Sequence, residues 1–139
     1  MAAVNNNLQF NWPIRVYYED TDAGGVVYHS QYLNFLERAR TEWLRSVGFE
    51  HNGLRMDYNV IFVVHSMQIQ FKKSAKLDDL LSINSHVGDI GRASFAFLQT
   101  ISLNQQIIID AQVKLACVDA LNLKPMAIPA QILAKIQKI

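Results

Sequence analysis

A single cysteine, Cys117, leaves nothing for it to pair with inside the chain, so an internal disulfide framework is excluded and a reducing compartment is not contradicted. Neither neighbour of Cys117 is a His or an acid, and the residue lies in an alternating apolar segment, so it reads as a small buried hydrophobe and not as a nucleophile. Charge is also scarce: 18% of residues are Asp, Glu, Lys or Arg and the net charge is +1, so no basic surplus exists to draw nucleic acid. No apolar run approaches the length needed to cross a bilayer. Met1 to Trp12 holds an Asn run and has neither a basic n-region nor a continuous apolar h-region, which is not the pattern of a secretory signal. No repeat, low-complexity tract or linker divides the chain. With 139 residues, half of them hydrophobic, one well-packed domain over residues 1–139 is expected, soluble and cytoplasmic.

What the chain has in quantity is alternation. Ile14, Val16 and Tyr18 alternate with Arg15, Tyr17 and Glu19, the period of a half-buried strand that runs into an acidic loop. From Gln31 to Val47 the apolar positions Tyr32, Phe35, Leu36, Ala39, Trp43 and Val47 recur at three- and four-residue steps, widened by Leu33 and Leu44. This predicts a long, wide-faced helix with Ser30 as N-cap and Gly48 as its stop. Phe49 to Asn59 shows no period and is expected to be irregular. Beyond it, strand patterns run through Val60 to Phe71, Leu81 to Val87, Ala93 to Leu103 and Ile107 to Asp119, separated by the turn-like segments Lys72 to Asp79, Gly88 to Gly91 and Asn104 to Gln106. A last amphipathic segment, Pro129 to Ile139, starts with Pro at a favoured first helical position.

Strands joined by short turns favour an antiparallel meander, and the long helix is the available cover for its apolar face. The expected class is α+β, an antiparallel five-stranded sheet wrapped around one long helix. Ile107, Ile108 and Ile109 make a run apolar on both faces, expected at an open sheet edge that a second copy of the chain would cover, so at least a dimer is expected.

The chemistry is expected between the first strand and the long helix, where Asp20 and Asp22 are followed by Gly24 and Gly25. A carboxylate facing the free N–H groups at a helix start can act on a carbonyl carbon while those N–H groups receive the growing charge on its oxygen. An Asp in such a loop can instead simply hydrogen-bond nearby backbone, a reading that suits Asp20. As a calcium loop beginning at Asp20 the segment fails, with Gly24 fifth and Gln31 twelfth, where a bidentate Glu is required. Glu37 and Arg40 are three apart on the helix, as are Glu42 and Arg45, and simple surface ion pairs worth about 0–1 kcal/mol account for both. His51, His65 and His86 are scattered without metal-ligand spacing. No metal or redox cofactor is expected. Tyr28, just ahead of the helix, is the aromatic placed to touch a substrate.

From Val16 to His29, Val-Tyr-Tyr-Glu-Asp-Thr-Asp-Ala-Gly-Gly-Val-Val-Tyr-His, and on through Tyr32 and Glu37 to Glu42, the sequence closely resembles the hotdog-fold acyl-CoA thioesterases of the 4-hydroxybenzoyl-CoA thioesterase type, within them the bacterial branch encoded beside the Tol-Pal genes. The likeness continues at Phe62-Val63-Val64, Leu77-Asp78-Asp79, Cys117-Val118-Asp119 and Lys124-Pro125. The resemblance implies hydrolysis of an acyl-CoA thioester to a free acid and CoA, with Asp22 as the catalytic carboxylate and the backbone N–H of His29 as the donor to the thioester oxygen. It implies a homodimer or homotetramer whose site lies between subunits, with acyl-pocket residues Phe62 and Val63 from the partner. Gly25 lets the acyl group approach the backbone, and Tyr28 lines the site. Lys73, with Lys72 and Lys76, and Arg92 ahead of Ser94-Phe95 are the cations available to CoA phosphates. Acyl carrier protein is an alternative carrier of the thioester. Two other classes are open to such a chain: a non-catalytic acyl-thioester-binding module, and a hotdog-fold hydratase or dehydratase, whose catalytic His motif is not found here.

Overall fold

The Tyr18 end of the first strand pattern is cut short by a side chain. In the computed structural model, which describes residues 9–137, strand β1 runs over Phe10–Arg15, and the chain then enters a single 3-10 turn at Tyr18–Asp20. The Asp20 carboxylate accepts a hydrogen bond from the Tyr17 N–H at 2.8 Å, and the Asp20 N–H donates to the Tyr17 carbonyl at 3.0 Å. Alternation alone cannot register this local competitor to the strand ladder.

Helix α1, Gln31–Ser46, follows the expected stripe: Tyr32, Phe35, Leu36, Ala39, Trp43 and Leu44 are buried, whereas Leu33 is exposed. Ser30 occupies the N-cap position, with no side-chain capping bond, and Gly48 follows the helix end at φ +100, the left-handed conformation that favours glycine. The stretch expected to be irregular contains a short helix, α2, His51–Tyr58, closed by Asn59 in the left-handed region at φ 56. Only Leu54 of α2 is buried, so the helix carries no apolar stripe from which it could be recognised.

The remaining strands are β2, Val60–Phe71; β3, Leu80–Ile90; β4, Ser94–Leu103; and β5, Gln106–Asp119; helix α3, Ala130–Gln137, follows and buries Ile132 and Ile136. All pairings are antiparallel and the sheet order is β1-β3-β4-β5-β2. The meander therefore holds for β3 to β5 only. Strand β2 does not pair with β3, its successor in sequence; it crosses to the far edge and pairs with β5 from Val60↔Asp119 to Phe71↔Ile109. Residues Lys72 to Asp79, read as a turn, are the crossover that this requires.

The topology also moves the exposed edge. Strand β5 is interior, and Ile108 and Ile109 are both buried, because the β4–β5 register steps at this point and turns consecutive residues to one side. The free edges are β1 and β2, and β2 is the one that displays apolar side chains, Val63, Val64 and Phe71. Between sheet and helix, one part of the core gathers Ile14, Phe35, Leu36, Leu81, Ile83 and Ile101, and the other gathers Trp43, Phe95, Phe97, Val113, Cys117 and Ile132. Among the described residues no helix is long and apolar enough to cross a membrane.

Candidate active site

The loop from Thr21 to Val27 is a tight hairpin whose ends pair as an isolated bridge, with the Asp22 N–H donating to the Val26 carbonyl at 2.9 Å. Gly25 stands at φ +81 at its tip, and its N–H donates to the Asp22 carbonyl at 3.0 Å. That conformation, and not lack of room, is what requires glycine there, since an added Cβ would meet nothing within 4 Å. At Gly24 the constraint is the reverse: a Cβ would lie 3.2 Å from the Asp22 Oδ1.

The two acids of the loop have separate tasks. Asp20 is buried, 3% exposed, and its Oδ1 accepts a hydrogen bond of 2.7 Å from the Gln31 side-chain amide on the first residue of α1. It ties loop to helix. Asp22 is exposed, and its Oδ1 accepts the Gly24 N–H at 2.8 Å; its Oδ2 has no partner among the described residues. One carboxylate oxygen is thus held by backbone and the other is open.

His29 lies two residues past Val27, the residue paired with Thr21; the Tyr28 N–H donates to the Asp20 carbonyl at 3.0 Å, so the hairpin returns the chain to the base of the acidic loop just before the start of α1. The His29 N–H has no acceptor among the described residues, as befits a helix start whose N-cap side chain makes no bond. Its ring packs on Tyr28 at 4.5 Å between centroids and meets Phe71 edge-on at 6.3 Å. The crossover passes directly beneath: the Val27 N–H donates to the Ala75 carbonyl at 2.8 Å, and the Ala75 N–H to the Tyr32 hydroxyl at 2.9 Å. Burial pushes the Tyr32 hydroxyl above its ordinary pKa, against the opposing pull of that backbone bond.

A separate cavity of about 240 Å³ opens between α1, α2 and the inner face of the sheet. Its apolar wall includes Trp43, Phe62, Phe95, Phe97 and Leu115, and its polar wall is Glu37, Arg40, Thr41 and His51. Phe62 and Val64 line it, whereas Val63, expected beside Phe62, stands on the opposite face of β2 and outside the lining. Neither Asp22 nor His29 of the same chain reaches this cavity. Along β2, Phe62 and Phe71 are nine residues and so about 30 Å apart at ~3.3 Å per residue.

The two cations expected near a CoA site are also apart. Lys73, exposed, follows the Phe71 end of β2, with its Nζ 3.3 Å from Gln106 Oε1. Arg92, exposed, precedes β4, whose first residue Ser94 aligns through Ala116 with Val63 at the other end of β2. One chain holds them at opposite ends of its sheet.

The polar wall went unrecognised in the sequence. Glu37 does not pair with Arg40: the Thr41 hydroxyl, one helical turn on, donates to Glu37 Oε2, and His51 Nε2 lies 3.1 Å from the same hydroxyl. The i, i+4 spacing of Glu37 and Thr41 was a legible signal; His51 arrives from α2, which was not. Arg40 turns inward, 9% exposed, and donates to Gln99 Oε1 at 3.0 Å; Gln99 in turn donates to the Leu36 carbonyl and the Ser85 hydroxyl. Burial lowers the Arg40 pKa, partly offset by Glu37. Arg45 does pair with Glu42, at 2.9 Å, and with Glu50 at 3.4 Å. Cys117 is buried, and burial pushes its thiol up to about 11, which removes it as a nucleophile.

An antiparallel five-stranded sheet folded over one long helix, with an acidic hairpin delivered to the helix start, defines a hotdog α+β protein. Residues 16–136 match the family described as the thioesterase-like superfamily, and the chain belongs to that family. Among its relatives, the acyl-CoA thioesterase YbgC of Haemophilus influenzae is 46% identical over 90% of this chain and 92% of its own length. A solved structure of a probable thioesterase from Bartonella henselae is 35% identical, superposes with a TM-score of 0.84, and covers 87% of this chain and 99% of its own. The 4-hydroxybenzoyl-CoA thioesterase of Pseudomonas sp. strain CBS-3 shares the fold at a TM-score of 0.86 with 19% identity, over 93% of this chain and 99% of its own.

Proposed function

We propose that two copies of the chain complete each active site, with Asp22 and the His29 N–H from one and the aromatic cavity from the other. The chain is an acyl-CoA thioester hydrolase, as its YbgC relatives are named. The observation that carries the site assignment is the pairing, on one hairpin, of a half-anchored carboxylate with an unsatisfied N–H at the start of α1.

In this reading the thioester oxygen takes the hydrogen bond that the His29 N–H lacks, and charge developing on it meets the positive end of α1. The open oxygen of Asp22 faces the carbonyl carbon. It attacks directly, giving a mixed anhydride that water then opens, or it takes a proton from an attacking water. Either route breaks the C–S bond, releases the CoA thiolate and adds the elements of water, ending in a free acid and CoA thiol. His29 acts through its backbone; Gly25 and the exposed Tyr28 form the approach to the carboxylate.

Strand β2 supports the shared site. It is a twelve-residue free edge with apolar side chains outward, the kind of edge that a second copy covers. Antiparallel pairing of β2 with its counterpart sets the Phe62 end of one copy against the Phe71 and His29 end of the other. It also carries Lys73 of one copy and Arg92 of the other to the same end of the joined sheet, where CoA phosphates would need both. A homodimer is the minimal assembly, and two such dimers would make a homotetramer. The cytoplasm is the compartment that this reading assigns, and a thioester on acyl carrier protein is the alternative substrate form.

The test is free-thiol release from short, long and aromatic acyl-CoAs by wild type and Asp22→Asn. The expected result is turnover by wild type and a loss of at least about a hundredfold in the variant, the scale of a positioned base. Equal rates in the two proteins would remove Asp22 from the chemistry.

A further inference from the structure

The loop that follows β5 displays two leucines in a conformation that works against one of them. Leu123, at φ 62, stands in the left-handed region that a glycine or an asparagine enters more readily than a leucine. It is 62% exposed, and Leu121, two residues earlier, is 88% exposed. Neither belongs to the core among the described residues.

The loop is nonetheless firmly built. Asp119 Oδ1 accepts the Leu121 N–H at 2.8 Å and the Asn122 N–H at 3.1 Å, and Asn122 Oδ1 accepts the Lys124 N–H at 2.8 Å. Backbone closes the turn, with the Leu123 N–H donating to the Asp119 carbonyl at 2.8 Å and the Asp119 N–H to the Lys124 carbonyl at 2.9 Å. Strain of this kind persists where the surroundings over-determine it, and it clusters at active sites and ligand clamps. Within one copy of the chain it leaves two apolar side chains in water.

The place of the loop says what covers them. The Ala120 N–H donates to the Asn59 carbonyl at 2.9 Å, and Asn59 precedes Val60, so the loop lies against the start of the free edge strand β2. At the far end of β2 a second apolar group is half-exposed: Phe71 meets the His29 ring edge-on at 6.3 Å, and that ring packs on Tyr28 at 4.5 Å. From Val60 to Phe71 is eleven steps of ~3.3 Å, about 36 Å along the strand, so the two groups cannot meet within one chain. Antiparallel pairing of β2 with its counterpart sets each Val60 end beside the other copy's Phe71 end, and the two-fold axis makes that contact twice.

We infer that Leu121 and Leu123 dock on the partner's His29 and Phe71 rings and so hold in place the helix start that presents the His29 N–H. This rests on the shared-site reading proposed above and adds to it two positioning residues supplied by the second copy. Aliphatic side chains against aromatic rings take apolar surface out of water on both sides. Excluding water near the His29 N–H also strengthens its bond to the thioester oxygen.

Cross-linking tests the docking. Lys72, beside Phe71, and Leu123 are exposed, whereas the native Cys117 is buried, so Lys72→Cys/Leu123→Cys offers a short bis-maleimide one thiol at each end of β2. Dilute protein should become a covalent dimer, and neither single variant should. Positioning is tested in Leu121→Ser/Leu123→Gly, in which glycine accepts φ 62 and the turn still closes. Its kcat on acyl-CoA should fall about tenfold with KM changed by less than about twofold, the mark of a displaced donor and not of lost binding. Sedimentation should still show a dimer, and Leu121→Met/Leu123→Met, which keeps the apolar contact, should retain most of the rate.

A dimer that gives no cross-link, or a serine–glycine variant with unchanged kcat, overturns the inference and leaves the shared site standing. A wild-type chain that is fully active yet sediments as a monomer removes the shared site, and the inference with it. If no acyl-CoA is turned over, the hydrolase reading fails and the cross-link alone decides the docking.

Discussion

Asp20 and Gln31, eleven residues apart, are joined by a 2.7 Å hydrogen bond that fixes the acidic hairpin to the first turn of α1. The Asp20 carboxylate has its other oxygen on the Tyr17 N–H, and its backbone carbonyl accepts the Tyr28 N–H, so one buried residue holds both ends of the loop that carries Asp22.

Asp20→Ala should therefore weaken the fold and the reaction together. Buried partners are left unmade, at about 1–3 kcal/mol each. Denaturant unfolding should show a loss in that range, and the thiol-release rate should fall although Asp22 is untouched. Gln31→Leu, which removes one bond and leaves Tyr17 held, should give a smaller loss of both. Unchanged stability in Asp20→Ala would mean that the hairpin stands without this tie.

Gly24→Ala tests the anchoring of Asp22. The new Cβ would sit 3.2 Å from Oδ1, closer than ordinary contact, so the carboxylate must give by a few tenths of an ångström from the position in which the Gly24 N–H holds it. The melting temperature should hardly move, because the loop is exposed, while kcat falls by about tenfold as the carboxylate loses its aim. A drop in stability with kcat preserved would reverse that assignment.

A site shared between copies predicts complementation. Asp22→Asn and Phe62→Arg should each be inactive alone. Mixed and refolded together, half of the molecules pair unlike, and one of the two sites in each is then intact, so about a quarter of wild-type activity should return. No recovery from well-mixed heterodimers would place the whole site within one chain.

Tyr32 predicts an alkaline limit. Its hydroxyl is raised above the ordinary value by burial, so the folded chain holds that proton more tightly than the unfolded one. The contribution is complete below pH 10, the unfolded value, and is lost as pH climbs through the higher folded value. Tyr32→Phe should remove this part of the alkaline decline. It should also destabilise at neutral pH, by about 1 kcal/mol or more, because the Ala75 N–H then loses its acceptor. Alkaline melts of the two proteins that run parallel would count against it.

Local chemistry determined much of this protein. The stripe from Tyr32 to Trp43, the alternation of the later strands, and two carboxylates with two glycines ahead of a helix were legible because each is set by residues within one or two turns of chain. Only the tertiary structure decided which strand lies at the edge, since the alternation of β2 and β3 suits a hairpin as well as a crossover, and pairing partners are chosen by packing over α1. It decided, too, that Val64 and not Val63 joins Phe62, because a strand sends neighbours to opposite faces and the buried face is known only once β5 is beside it. The meeting of Glu37, Thr41 and His51 depends on where α2 docks, and a helix with one buried residue leaves no periodic trace of its docking in the sequence.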